Sequence, residues 1–359
     1  MQRQTILLLF GGESSEHDVS ISSARNVYAA IDDRKFDVLL GYIDRKGCWW
    51  LIDSLDGEVS TSSALQLVPS LGNREFKTVP EGQSVRPDVI FATLHGKNGE
   101  DGSVQGVAQL LHVPIVGCGV AASAICMDKM RAKMLVNDIV STAKSVTFAY
   151  SENASSELMT LLKRRTDGGS DFTDRVGFGP WFVKPSRAGS SVGVSKVINE
   201  SELESAIIAA FEYDSTVIVE EAIEGRELEV SVLGNPPYHR ASGVGEIAVG
   251  DTFYSYEEKY ASTSTAHIII DADLSDSLRT EIAECARSIY ERLGCQGLAR
   301  VDFFLASDGG IYFNEVNTLP GFTNSSMYPK LWREEGVSYS ELIERLITLA
   351  FEKDATLEV

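Results

Sequence analysis

An apolar run at residues 6–10 ends in Gly11-Gly12, a helical pattern covers residues 19–31, and a second apolar run follows at residues 37–43. Val19, Ile21, Val27, Ala30 and Ile31 fall at spacings that suit one face of a helix. Strand, helix and strand in that order imply a parallel pair, because parallel neighbours need a crossover between them. Short apolar runs at residues 87–94 and 113–116 continue the alternation, so the first third of the chain reads as α/β. Residues 54–86 are polar and turn-rich, which suggests a surface hairpin or loop excursion.

The remainder is less regular. A helix is expected from residue 123 through 138, carrying Lys129, Arg131 and Lys133, and another over residues 155–165. Residues 166–180 hold four glycines and three aspartates and read as an exposed loop. Strands are expected at 180–184, 194–198 and 216–220, with a helix over 200–211. The last third should supply strands at 227–233, 243–249, 299–305 and 311–316, and helices over 275–293 and 339–353. A length of 359 residues exceeds one ordinary domain. Three units are expected, at residues 1–122, 123–222 and 223–359.

Charge narrows the partners. With 32 basic and 52 acidic residues the net charge is −20, which argues against a broad nucleic-acid surface. ATP remains admissible, since a few local lysines and a metal outweigh the global field. The five cysteines are scattered without a CxxC pair and read as free thiols of a reducing compartment. No apolar run approaches the roughly 18 residues of a membrane span, and the opening run is too short for a signal core. The expectation is a cytoplasmic protein with no membrane partner.

Four local patterns carry chemistry. Lys184 ends a strand, and the small-residue turn from Ser186 to Ser195 leads into the next. Small residues let backbone N–H groups approach phosphate oxygens, and the lysine adds a point charge. A Gly/Ser hairpin alone is more often a plain turn, and no GK[ST] closes this one. The second pattern joins Arg300 and Asp302 to Glu315 and Asn317 through a turn at residues 307–310. Each pair is two apart on its strand and so shares a face, which assembles two carboxylates and an amide oxygen. That hard-oxygen set suits magnesium carrying phosphate ligands. The third is an apolar strand that runs into Glu220, Glu221, Ile223 and Glu227. A solvated acidic turn is the commoner meaning, but in an ATP enzyme such a strand end suits adenine and ribose. The fourth is Gly11-Gly12 through Glu16-His17, at a strand-to-helix turn where α/β proteins usually bind ligands.

Together these residues resemble the D-alanine–D-alanine ligases of the ATP-grasp superfamily, over essentially the whole chain. The blocks are residues 11–20, 94–102, 127–133, 184–195, 256–260 and 300–321, in family order. The resemblance implies a three-domain ATP-grasp architecture: an N-terminal Rossmann-like parallel sheet, and two α+β domains clasping ATP. It implies that Lys129, Lys184 and Ser191 meet the phosphates, Glu220, Glu221 and Ile223 the adenine, and Glu227 the ribose. Asp302, Glu315 and Asn317 match ligands of two magnesium ions, with manganese as an alternative. Glu16 matches the partner of the first D-alanine's ammonium, linked to Ser190 and Tyr260. His95 falls beside the first substrate, Ser326 at the second substrate's carboxylate, and Arg300 and Gly321 at the tetrahedral oxyanion. Lys259 and Tyr260 sit on the family's mobile loop over ATP. The implied reaction is ligation of two D-alanines through an acyl phosphate for peptidoglycan precursors, by a homodimer. Ligation of D-alanine to D-lactate or D-serine shares the ATP residues, as would another carboxylate–amine pair; a non-catalytic nucleotide-binding protein is disfavoured by the intact metal set. Ala188 stands where many members carry Glu, and His17 where an Arg is common.

Overall fold

The computed structural model describes residues 3–151, 153–163, 169–248 and 267–357. Its strand–helix–strand opening consists of β1 (Gln4–Gly11), α1 (His17–Ala30) and β2 (Phe36–Ile43). Strands β3 (Trp49–Ile52), β4 (Leu65–Ser70), β5 (Glu75–Val79), β6 (Ser84–Val85) and β7 (Val89–Ala92) complete a seven-stranded sheet in the order β6-β5-β4-β3-β2-β1-β7. Only β2, β1 and β7 are mutually parallel; β3 to β6 add an antiparallel meander. The polar stretch 54–86 is therefore sheet as well as turn. Residues 113–116, expected as a strand, make a single bridge, Ile90 to Ile115. Helix α2 (Ser103–Leu111) precedes it and was not foreseen.

The expected helix over 123–138 is two helices, α3 (Val120–Met127) and α4 (Lys129–Val136). Asp128 breaks the run. Its backbone is extended (φ −86°, ψ 94°) and its carboxylate accepts from the Arg131 N–H, a restart that an N-capping Asp favours. Their side chains Cys126, Ala132 and Val136 join the core under the last sheet rather than the central one. After the short β8 (Ser141–Thr142), the central sheet is antiparallel throughout, in the order β11-β10-β12-β9. It is built from β9 (Ser145–Ala149), β10 (Trp181–Pro185), β11 (Ser195–Val197) and β12 (Thr216–Glu221). Helices α5 (Ala154–Leu161), α6 (Asp171–Val176) and α7 (Leu203–Ala210) back it. Helix α6 corrects the exposed-loop expectation. Ser170 and Thr173 form a reciprocal cap, and Phe172 and Val176 are fully buried. Residues 166–168 lie outside the described residues.

The third sheet has the order β15-β14-β13-β16-β17-β8. Its strands are β13 (Gly225–Leu233), β14 (Arg240–Ala248), β15 (His267–Ile269), β16 (Leu298–Ala306) and β17 (Ile311–Asn317), covered by α8 (Asp276–Arg292). Helix α9 (Met327–Glu334) follows, and α10 (Tyr339–Leu357) returns to the first sheet, where Leu342, Ile343, Leu346 and Ile347 pack with Ile6 and Leu8 of β1. Among the described residues no helix is long and apolar enough to cross a membrane.

One polar contact fastens that return. Lys353, 9% exposed, donates to the carbonyls of Ile115 (2.9 Å) and Gly117 (2.8 Å) where the first sheet's last segment meets the third sheet. Lys353→Met keeps the aliphatic stem but leaves both carbonyls unmatched. Its unfolding free energy in urea is expected to fall by roughly 1–3 kcal/mol. No loss would mean that water replaces the ammonium.

Candidate active site

Three neighbouring strands of the last sheet place their polar side chains on one face. Glu229 of β13 lies opposite Asp302 of β16, which lies opposite Glu315 of β17. One pair further along, Ser231, Arg300 and Asn317 repeat the arrangement. Directly opposed residues share a face, so the sequence-expected set converges, together with the unforeseen Glu229. Its place two residues after Glu227 on one strand was the available signal. Beyond Asp302 the register shifts, with Asn314 as the extra residue on β17. Arg300 reaches Asp302 through Nε (2.8 Å) and Nη2 (2.7 Å), and Nε also lies 3.2 Å from Glu229. Burial works against the guanidinium charge, but Asp302 and Glu229 outweigh it and hold the group well above its ordinary pKa. These contacts use Nε and Nη2.

Glu315 faces the central unit. Lys129 Nζ, from the first turn of α4, lies 3.0 Å from its carboxylate and donates to the Ala188 carbonyl (2.8 Å). Burial opposes the Lys129 charge; Glu315 more than compensates, and the ammonium is stabilised. Lys184, at the end of β10, pairs with Glu220 of β12 at 2.7 Å, and Lys133 of α4 meets the same carboxylate at 2.5 Å. Burial would raise the Glu220 pKa, yet the two ammonium groups hold it at about 2. Lys133, which sequence reasoning had left without a task, is four residues after Lys129 on the same helix, a spacing that puts both on one face. Glu221 accepts from the Lys144 N–H at 2.8 Å, and Ile223 is half-buried just beyond β12.

The turn between β10 and β11 closes the site. Ser190 and Ser191 adopt left-handed backbone (φ 49° and 59°), uncommon for residues with a Cβ. The Ser190 hydroxyl thereby donates to Glu16 Oε1 at 2.5 Å, which links the central unit to the start of α1. Gly11 makes that start possible. At φ 91° a Cβ there would stand 2.2 Å from the Ile43 carbonyl, and its N–H bonds the Ser20 hydroxyl (2.8 Å). Behind Glu16 lie two more buried groups. His95 Nδ1 is 3.1 Å from the Leu319 carbonyl, so that nitrogen carries the proton, and burial lowers the ring's pKa. Glu100 accepts from the Gly96 N–H at 2.6 Å; burial, then the charge of Glu16, raise its pKa to about 8.

A cleft of about 500 Å³ is lined by Glu16, His95, Ser190, Glu227, Arg300, Asp302, Glu315, Asn317, Gly321 and Ser326, among others. Glu229 lines it too. Lys129, Lys184, Ser191, Glu220, Glu221 and Ile223 are not among its walls; Lys129, Lys184 and Glu220 are buried beside it. The Ser326 hydroxyl lies within hydrogen-bond distance of the Thr323 N–H (2.9 Å) and hydroxyl (2.8 Å). Lys259 and Tyr260 lie outside the described residues. Among the described residues no three carboxylate, imidazole or thiol groups converge as a ready-made cation cage. Asp302, Glu315 and the Asn317 amide nonetheless offer hard oxygens on one face, a set that fits a divalent cation completing its shell from ligand oxygens.

Comparison with known proteins agrees along the whole chain. The family model described as D-ala D-ala ligase N-terminus matches residues 5–118, and that of the D-ala D-ala ligase C-terminus matches residues 126–348. The chain is 44% identical to D-alanine–D-alanine ligase A of Chromobacterium violaceum, covering 96% of this chain and 94% of that protein. It is 40% identical to D-alanine–D-alanine ligase A of Escherichia coli K12, covering 99% and 98%. The VanG D-Ala:D-Ser ligase structure from Enterococcus faecalis superposes with a TM-score of 0.85 at 38% identity, covering 97% of this chain and all of that one. The D-alanine–D-alanine ligase structure from Coxiella burnetii gives 0.84 at 32% identity, covering 100% and 97%.

Glu100 supplies a test of this electrostatic description. An acid whose pKa is about 8 when folded, against an ordinary value of 4.5, binds more protons folded than unfolded between those limits. Stability from this group therefore declines as pH rises from about 5 to about 8. Glu100→Gln retains an acceptor for Gly96 and removes the titration. Relative to the unmodified protein it should gain stability at pH 8 and little at pH 5, read from urea unfolding at both. An equal change at the two pH values would show that Glu100 is ionised throughout.

Proposed function

The chain belongs to the D-alanine–D-alanine ligase family, and from that membership we propose that it joins two D-alanines with one ATP through an acyl phosphate. What supports the reading is the convergence in one cleft of the Glu16–Ser190 pair with the Arg300, Asp302, Glu315 and Asn317 face. A carboxylate and an ammonium do not condense unaided in water. The first D-alanine's carboxylate oxygen attacks the γ-phosphorus, and ADP leaves. The second D-alanine's amine, having lost a proton, attacks the acyl carbon and expels phosphate.

The chain's own residues take these roles. Glu16, steadied by Ser190, holds the first ammonium, with His95 beside it. Lys129 and Lys184 offset charge on the transferring phosphoryl, and the Ser191 backbone lies in the loop that approaches it. Glu220, Glu221 and Ile223 edge the adenine, Glu227 the ribose, and Ser326 the second carboxylate. Asp302, Glu315 and Asn317 would hold divalent cations, two magnesium ions in this reading or manganese in their place, and these would supply neutralisation of phosphate charge. Arg300 and the Gly321 N–H stabilise the tetrahedral oxyanion. Lys259 and Tyr260 are assigned, from the family resemblance alone, to keeping water from the acyl phosphate. The units are residues 1–122, 123–222 and 223–359, the assembly is a homodimer and the compartment the cytoplasm.

The reaction is tested by ADP release with D-alanine alone, L-alanine alone, and D-alanine with D-serine or D-lactate, the product being identified by mass. The dipeptide D-alanyl-D-alanine is expected from D-alanine alone. Since the VanG structure bears a D-Ala:D-Ser ligase, preferential formation of the mixed product would replace this acceptor with D-serine. No ADP release with any of them would end the ligase reading.

Arg300 separates chemistry from binding. Its oxyanion role begins only after the acyl phosphate forms, so Arg300→Lys should lower kcat by roughly 10²-fold or more. Dissociation of ATP, measured by calorimetry, should change little. An ammonium cannot reproduce the planar fork that now spans Asp302 and Glu229. Loss of ATP affinity with kcat preserved would assign Arg300 to the hairpin instead.

A further inference from the structure

Lys133, Glu220 and Lys184 form a buried triad of two cations and one anion. Their side chains are only 7%, 5% and 11% exposed, and each ammonium takes its own oxygen of the carboxylate. Lys133 holds Oε1 at 2.5 Å and Lys184 holds Oε2 at 2.7 Å. One ammonium is enough to compensate one buried carboxylate. The triad therefore carries an excess positive charge out of water, an arrangement that favours the arrival of an anion. The two lysines are not equivalent. Lys184 ends β10 at the start of the Gly/Ser turn, whereas Lys133 rises from the second turn of α4, behind Lys129. Burial, then the neighbouring Lys184 charge, pull Lys133 down to about 8 against the attraction of Glu220, as expected for an ammonium that shares its counter-ion.

We propose that Lys133 is a positioning residue for nucleotide binding: it stays on Glu220 when Lys184 leaves that carboxylate for the phosphates. This rests on the reading of Lys184 as a phosphate ligand. In the absence of Lys133, Lys184 is the only cation among the described residues on Glu220, and its departure strands a buried anion. The lysine then remains on Glu220, and the phosphates lose their partner. Lys133 thus acts on the nucleotide through Glu220 and need not touch it.

The test is a double-variant cycle on the full-length protein, with ADP and magnesium as the probe and affinity read by calorimetry. Lys133→Met should weaken ADP by about thirtyfold or more, the usual scale for truncating one partner of a buried charge pair. Lys133→Arg, which keeps the charge, should stay within a few-fold. The deciding arm is Glu220→Gln. With the carboxylate neutral, Lys184 is free, so adding Lys133→Met to Glu220→Gln should change ADP affinity little. The KM for D-alanine should move far less than the ADP affinity in Lys133→Met. Should Lys133→Met alone fail to fold, Lys133→Gln takes its place in the cycle, and a large loss on adding either variant to Glu220→Gln overturns the proposal. Equal losses from Lys133→Met in both backgrounds, or ADP binding by Lys133→Met as tight as in the unmodified protein, would overturn the proposal. If the unmodified protein bound no adenine nucleotide, the ligase reading would fall and this inference with it. Normal dipeptide synthesis with additive losses would sink the inference alone.

Discussion

A carboxylate taken out of water must be met by a cation or by hydrogen-bond donors, and between the second and third sheets four of the described carboxylates are met by cations. Glu220 is met by Lys133 and Lys184, Glu315 by Lys129, and Glu229 and Asp302 share Arg300. The cations come from α4, β10 and β16, and the anions from β12, β13, β16 and β17. One of these pairs, Lys133–Glu220, joins α4, which packs in the core beneath the last sheet, to the central sheet. The core beneath the central sheet and the core beneath the last one are separate clusters. Lys133–Glu220 and the Lys129 bond to the Ala188 carbonyl cross between them instead, and the Glu16–Ser190 hydrogen bond links the turn between β10 and β11 to the start of α1. Polar crossings of this kind can be exchanged for contacts to a ligand at small net change, whereas a continuous apolar interface could not.

The same reasoning explains the backbone at the turn between β10 and β11. Two successive non-glycine residues in the left-handed region are unfavourable, and they persist only where surrounding contacts over-determine them. Here the constraints are the Ser190 bond to Glu16, the Lys129 bond to the Ala188 carbonyl, and the cramped position of Gly193. A Cβ on Gly193 would stand 2.7 Å from Tyr213 and 2.9 Å from Pro185. Ala188 contributes a main-chain oxygen to this arrangement, a contact that does not depend on the side chain.

What the sequence disclosed follows from how local each signal is. The face built from Arg300, Asp302, Glu315 and Asn317 was legible because polar residues alternated within apolar strands, and a short turn fixed their pairing. The parallel opening was legible from periodicity alone. Helix α6 was hidden because its glycine-rich flanks outweighed a six-residue helix whose evidence is one cap and two buried side chains. Helix α9 was hidden by Pro329, which reads as a breaker yet sits in the first turn, where a proline N–H is not needed. Its fully buried Tyr328 and Trp332, four apart, were the missed period. The Lys133–Glu220 pair spans 87 residues, and no local pattern announces a contact across that distance. Glu100 falls within the block at residues 94–102, but nothing in the sequence shows that it is buried beside Glu16.

A chain of net charge −20 that binds a polyanion needs its cations where water is scarce. Over distances beyond the Debye length, about 8 Å at physiological ionic strength, the acidic surface is screened and neither attracts nor repels strongly. Within the cleft the balance is set by neighbours alone. Lys129, Lys133, Lys184 and Arg300 are each more than four-fifths buried by side chain. Their attraction is weakened less by solvent there than at the surface, and their pairing with carboxylates keeps the empty site from carrying several unmatched charges. On the proposed reading, nucleotide recognition is an exchange of counter-ions: phosphate oxygens take Lys184 from Glu220, which keeps Lys133, and Lys129 from Glu315. Asp302 and Glu315 would then stand open to a divalent cation.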